Sequence, residues 1–221
     1  MNPQLKEILS EFNINKINYW IDGGTLLGII REGDVLKNDK DIDISLHIDQ
    51  IDKLNNILSN IRKLGYRIRY ELYNGIPYKY KFYPKTNIGE LRVDINIYNQ
   101  KNESYLWCPV NYFFKPNNVL FKHFQKIIKF LWRKVFTKIE INKFPYNKSK
   151  KTYTWIIPYK YYNGITYNDR YSCKMFAEYK DYLKYRYGNW EIPSKEWNLF
   201  RDDGGIISKS PEILLKDNYK R

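Results

Sequence analysis

Asp22-Gly23-Gly24-Thr25-Leu26-Leu27-Gly28, followed downstream by Asn38-Asp39-Lys40-Asp41-Ile42-Asp43-Ile44-Ser45, decides how the chain reads. Side chains alternate between the two faces of a strand, so Asp41, Asp43 and Ser45 share one face while Ile42, Ile44 and Leu46 share the other. Two carboxylates roughly 7 Å apart along a strand face repel each other unless a cation lies between them. Hard oxygen ligands suit magnesium or manganese. The spacing therefore reads as a metal-dependent site for phosphoryl groups, in which both carboxylates reach a shared divalent ion.

Neither half of the pattern is informative alone. An Asp-x-Asp arises by chance in roughly half of chains this long at ordinary aspartate usage. Gly-Gly followed by Ser or Thr, placed shortly ahead of it, brings the joint accident down to roughly a few in a thousand. Context sharpens it further. Ile17-Asn18-Tyr19-Trp20-Ile21 is β-branched and aromatic and reads as a strand, and Leu26 to Arg31 reads as a short helix. Gly23 and Gly24 then sit at a strand-to-helix turn, where unpaired amides at the helix start cradle phosphate. Thr25 is expected to cap that helix or to touch the phosphate.

A third carboxylate is expected on a neighbouring strand. In Leu91-Arg92-Val93-Asp94-Ile95-Asn96-Ile97 the apolar residues alternate toward a core, while Arg92, Asp94 and Asn96 face the other way. Asp94 is the candidate. Lys79 and Lys81 share one face of Tyr78-Lys79-Tyr80-Lys81-Phe82 and read either as counter-charges for a diphosphate or as a solvated strand edge. Arg31 carries a planar fork suited to phosphate.

Gly24-Thr25-Leu26-Leu27-Gly28-Ile29-Ile30-Arg31 and then Asn38-Asp39-Lys40-Asp41-Ile42-Asp43-Ile44 resemble the signature of the LicD and fukutin family within the nucleotidyltransferase superfold. Tyr187-Gly188 and Pro193 are similar to that family's closing segment. The chain departs from the pattern at Glu32, Asn38 and Lys40, which leaves Asp41 and Asp43 in place. The resemblance implies an α/β fold, a mixed α+β sheet with a nucleotidyltransferase-like core and helices packed on it. It also implies transfer of a phospho-alcohol from a nucleotide-diphosphate donor, CDP-linked, to a glycan hydroxyl. On that reading Asp41, Asp43 and Asp94 are catalytic and hold Mg2+ or Mn2+, with Asp94 also the general base, while Gly23, Gly24, Thr25, Arg31 and Lys81 bind substrate.

With 221 residues, 43% of them hydrophobic and 18% aromatic, the chain has material for a substantial core. It reads as a catalytic core over residues 1–100 and a C-terminal elaboration over 101–221. The net charge of +14 invites an anionic partner, although Lys, Asn, Ile and Tyr together also follow AT-rich coding. Cys108 and Cys173 lack the spacing of a zinc site, and His47 and His123 stand isolated. Neither a leader nor a run of about eighteen apolar residues is seen, so a soluble cytoplasmic protein is expected.

Along the chain, Asn2 and Pro3 start a helix carrying Leu5, Ile8, Leu9 and Phe12 on one face. A second helix carries Ile51, Leu54, Ile57, Ile61 and Leu64 and ends at Gly65, and Asn74-Gly75 turns a hairpin. Residues 119–139 read as a basic amphipathic helix, packed on its own protein or lying peripherally on an anionic membrane. Residues 143–151 read as a loop, 153–162 as partly strand, and Phe176, Tyr179, Tyr182, Leu183 and Tyr187 as a helical stripe. Two rival functions remain open: a nucleotidyltransferase acting on RNA or protein, and a non-catalytic nucleotide-binding module.

Overall fold

The computed structural model describes residues 1–85, 90–101, 103–110, 138–140 and 153–208. Its first helix, α1 (Pro3–Ile14), starts where Asn2 Oδ1 accepts from the amides of Gln4 at 2.9 Å and Leu5 at 3.2 Å. Proline at the first helical position loses no bond there. α1 buries the expected Leu5, Ile8, Leu9 and Phe12. Strand β1 (Tyr19–Ile21) leads into α2 (Gly23–Glu32), followed by β2 (Asp41–His47), a single 3-10 turn and α3 (Ile51–Lys63). α3 buries Leu54, Ile57, Leu58 and Ile61 and is followed by Gly65 at φ +96°.

β3 (Tyr66–Tyr73) and β4 (Ile76–Pro84) form the expected hairpin, with Asn74 and Gly75 both at positive φ, 51° and 79°. β5 (Arg92–Lys101) is the hub of the sheet. Its first half lies between β2, which it pairs in parallel, and β4, which it pairs antiparallel. Its last residues pair with β6 (Tyr105–Val110), which in turn pairs with β8 (Tyr153–Pro158). β7 (Lys138–Glu140) closes the far edge beside β3, and β11 (Ile206–Ile207) the near edge beside β8. The described residues thus form one mixed nine-stranded sheet, and β9 (Ile165–Asn168) and β10 (Cys173–Phe176) pair separately. α4 (Tyr159–Tyr162), α5 (Tyr179–Tyr187) and α6 (Leu199–Asp202) are short.

One sheet face is apolar: Ile42, Ile44 and Leu46 of β2, Val93, Ile95 and Ile97 of β5, and Tyr80 and Phe82 of β4 belong to the same buried cluster as the apolar residues of α1 and α3. The other face carries the polar set across neighbouring strands, and the register aligns Asp43 with Asp94 and Asp94 with Lys81.

Several expectations need correction. α2 begins at Gly23 rather than Leu26, because Asp22 caps it: its Oδ1 accepts from the Gly23 amide at 2.7 Å. Thr25 is therefore not the cap. Phe176 lies on β10 and not on the helix that carries Tyr182, Leu183 and Tyr187. Of the helix expected over 119–139, residues 119–137 lie outside the described residues, and Lys138–Glu140 is a strand paired in parallel with β3. The loop expected over 143–151 and His123 also lie outside them. Among the described residues no helix is long and apolar enough to cross a membrane.

Ile95 is fully buried at the centre of the hub strand. Ile95→Ala should lower unfolding free energy by about 2–5 kcal/mol, read from urea denaturation, and Ile95→Val by about 1 kcal/mol.

Candidate active site

Gly23 stands at φ +55°, and a Cβ there would meet Asp43 Oδ2 at 2.8 Å. Only glycine permits both the backbone angle and the approach of Asp43. The Thr25 hydroxyl accepts from the Asp43 amide at 2.8 Å, and Thr25 is wholly buried. Its side chain therefore fastens α2 to β2 and is not part of the cleft lining. The amides of Gly24 and Thr25, in the first turn of α2, have no acceptor within the helix.

Asp22, Gly23, Gly24, Asp39, Asp41, Asp43 and Asp94 line a cleft of about 600 Å³, together with Arg31, Lys79, Lys81, Arg92 and Arg186. Trp155, Tyr187, Trp190 and Trp197 form its aromatic wall. The structure thus brings together every residue expected from the sequence except the Thr25 side chain. Arg31 also donates to the Trp190 carbonyl at 3.3 Å, joining α2 to the segment after α5.

The charges are unevenly matched. Asp94, 1% exposed, accepts from Lys79 Nζ at 2.8 Å and from Arg92 Nε at 2.5 Å. Arg92 Nη2 donates to Asp94 Oδ2 at 3.0 Å and also to Asp41 Oδ2. Burial alone would raise the Asp94 carboxyl, but Lys79, Lys81 and Arg92 hold it down at about 2. Held that way it is a weak proton acceptor for as long as Lys79 and Arg92 stay paired with it. Lys81 pairs with Glu71, so the lysine on Asp94 is Lys79 instead.

The Asp43 carboxylate is in no ion pair among the described residues, and Oδ1 accepts a long hydrogen bond from Asn96 Nδ2 at 3.5 Å. Burial first, then the neighbouring Asp41, pushes its carboxyl up to about 8. Asp39 is raised by the same two causes. Asn96 Oδ1 and the Tyr98 hydroxyl, both from buried residues of β5, have no hydrogen-bond partner among the described residues.

Sequence reasoning missed the support beneath the cleft. Asp22 Oδ1 accepts from Tyr182 Oη at 2.6 Å and from Arg186 Nη1 at 3.3 Å, and its Oδ2 accepts from Ser45 Oγ at 2.7 Å. Arg186 Nε and Nη2 grip Asp203 at 2.7 and 2.6 Å. Asp203 in turn accepts from the Gly205 amide at 2.8 Å. Asp22 directly before a Gly-Gly helix start was a readable capping signal. Arg186 carried none, being one of 38 Lys and Arg residues.

Do these residues suit a divalent ion? Among the described residues no three His, Cys, Asp or Glu side chains close around a common point. The donor chemistry does fit: Asp41 and Asp43 share one strand face, Asp94 lies in register with Asp43, and a guanidinium already bridges Asp41 and Asp94 as a cation would.

A family model described as LicD/FKTN/FKRP, nucleotidyltransferase domain, matches residues 16–129. The chain belongs to this family. Within the LicD/FKTN/FKRP domain fall α2, β2 and β5, the elements that carry Asp41, Asp43 and Asp94. An uncharacterized protein of Rickettsia typhi (strain ATCC VR-144 / Wilmington) is 34% identical over 93 residues, 42% of this chain and 26% of its own. One of Rickettsia prowazekii (strain Madrid E) is 45% identical over 58 residues, 26% of this chain and 21% of its own. The chain spans about a quarter of the length of these curated relatives. Among solved structures, the lincosamide antibiotic adenylyltransferase LnuA with lincomycin bound is 14% identical, covering 83% of this chain and 84% of its own, with a TM-score of 0.43. ANT(2")-Ia in complex with adenylyl-2"-tobramycin is 24% identical, covering 46% and 51%, with a TM-score of 0.33.

Two predictions follow from these charges. Asp203→Ala leaves the buried Arg186 guanidinium half-paired and should cost on the order of 3 kcal/mol, measured by urea unfolding. The proton affinity of Asp43 is raised on folding, from 3.8 to about 8. Its contribution to stability is therefore complete below pH 4 and is lost as the pH rises through 8. In chelator-treated protein the urea midpoint should fall across that window, and Asp43→Asn should flatten the fall.

Proposed function

We propose that this chain is a metal-dependent transferase that moves a phospho-alcohol, or a related phosphoryl group, from a CDP-linked donor to a glycan hydroxyl. The reading is carried by three carboxylates on adjacent parallel strands, facing one cleft beside an open helix start, in a member of the LicD/FKTN/FKRP family. Asp41 and Asp43 would hold two divalent ions, with Asp94 completing the set around one. Bound there, the ions neutralise the diphosphate and stabilise the departing nucleotide.

The protein's own groups do the rest. The amides of Gly24 and Thr25 point at the donor phosphates from the start of α2. Arg31 and Lys81, both lining the cleft, add positive charge. The acceptor oxygen attacks the phosphorus that bears the alcohol. The bond from that phosphorus to the bridging oxygen breaks, and cytidine monophosphate leaves in line. The hydroxyl proton passes to a cleft carboxylate, and Asp94 serves once Arg92 has turned from it toward the donor.

One observation favours a second reading. Arg92 spans Asp41 and Asp94, as it would in a non-catalytic module that binds nucleotides. A screen of CDP-alcohols separates the two by magnesium-dependent release of cytidine monophosphate. Release from one donor, lowered at least about 10²-fold by Asp41→Asn or Asp43→Asn, supports transfer. Tight binding of CDP compounds with no release from any donor supports the module.

A further inference from the structure

Arg92 occupies an unusual position. It faces Asp41 across the parallel pairing of β2 and β5, and it shares its own strand face with Asp94. Its guanidinium engages both Asp94 oxygens, at 2.5 and 3.0 Å, and also Asp41 Oδ2, while Lys79 takes a second bond to Asp94 Oδ2 at 2.8 Å. A divalent cation shared by Asp41 and Asp94 needs those same lone pairs. The side chains differ in freedom: Arg92 is 31% exposed and lines the cleft, whereas those of Lys79 and Asp94 are 16% and 2% exposed. Arg92 is thus the bridging cation with room to leave. Asn96 Oδ1, from a residue 2% exposed beside Asp43, lacks a positive or donating partner among the described residues.

We propose that Arg92 is an exchangeable counter-ion. In the metal-free protein its guanidinium takes the place of a divalent cation between Asp41 and Asp94, and when the cation binds it swings into the cleft and clamps the donor diphosphate. A planar fork that grips a carboxylate through two bonds grips a phosphate equally well. The exchange keeps the local charge near balance in both states. It leaves Asp94 free of its strongest guanidinium contact when a ligand is present. The inference rests on the proposed transferase site, and it assigns to Arg92 a binding role that depends on the metal.

The test is titration calorimetry of the full chain with Mn2+ and then with cytidine diphosphate, on wild type, Arg92→Met, Arg92→Gln and Asp43→Asn. If the bridged state dominates by about ten to one, the metal's apparent affinity is reduced about tenfold. Arg92→Met, or Arg92→Gln should the first variant fold poorly, should therefore bind Mn2+ about tenfold more tightly than wild type when no nucleotide is present. With Mn2+ saturating, the same variant should bind cytidine diphosphate about tenfold more weakly, a pair of opposite shifts that a structural ion pair does not produce. Unchanged or weaker Mn2+ binding overturns the exchange, and unchanged nucleotide binding overturns the clamp. Absence of Mn2+ binding in wild type removes the transferase reading as well. Binding that Asp43→Asn abolishes but Arg92→Met leaves alone removes only the role of Arg92.

Discussion

The parallel pairing of β2 with β5 is the constraint on which the rest of the molecule depends. Side chains in neighbouring strands share a face in step, so the register that sets Ile42, Ile44 and Leu46 beside Val93, Ile95 and Ile97 also sets Asp41 and Asp43 beside Arg92 and Asp94. A slip of one residue would turn the carboxylates into the hydrophobic core and the isoleucines into the cleft. The burial of those apolar residues therefore also holds the acidic groups together, and no separate device is needed to gather them.

Gathering acids in a half-enclosed cleft has an electrostatic cost, and the structure meets it unequally. Asp94 and Asp22 are each matched by arginine, with lysine or tyrosine added, and Asp41 shares the guanidinium of Arg92. Among the described residues the Asp43 carboxylate has only a long contact with an amide, and its raised proton affinity comes from burial first and then from the neighbouring Asp41. A pocket that neutralised every acid internally would have no affinity for a cation. One that neutralised none would strain the strands that carry it.

The glycine turn is supported from far along the chain. Arg186 and Tyr182 on α5 hold Asp22, and Asp203 holds Arg186, so the segment beyond α5 is tied to the start of α2. Its aromatic residues Tyr187, Trp190 and Trp197 then wall the cleft. The elaboration expected over 101–221 contributes β6, β8 and β11 to the same sheet as the first five strands. Chain position and spatial role thus separate: residues remote in sequence complete the support of the earliest helix turn.

The two amphipathic helices, the Asn74-Gly75 hairpin and the alternation around Asp43 and Asp94 were all legible in the order of residues. Each is a local matter, in which a cap, a left-handed turn pair or a period of two acts within a few positions. The candidate carboxylates were legible for the same reason, and the family signature reinforced them. Which lysine meets Asp94, that Thr25 turns inward to hold the Asp43 amide, that Arg92 lies between two acids, and that Arg186 and Asp203 brace Asp22 were decided only in three dimensions. Those partnerships join strands or helices distant in sequence, and a charged residue's identity says nothing of which opposite charge the folded chain will set beside it.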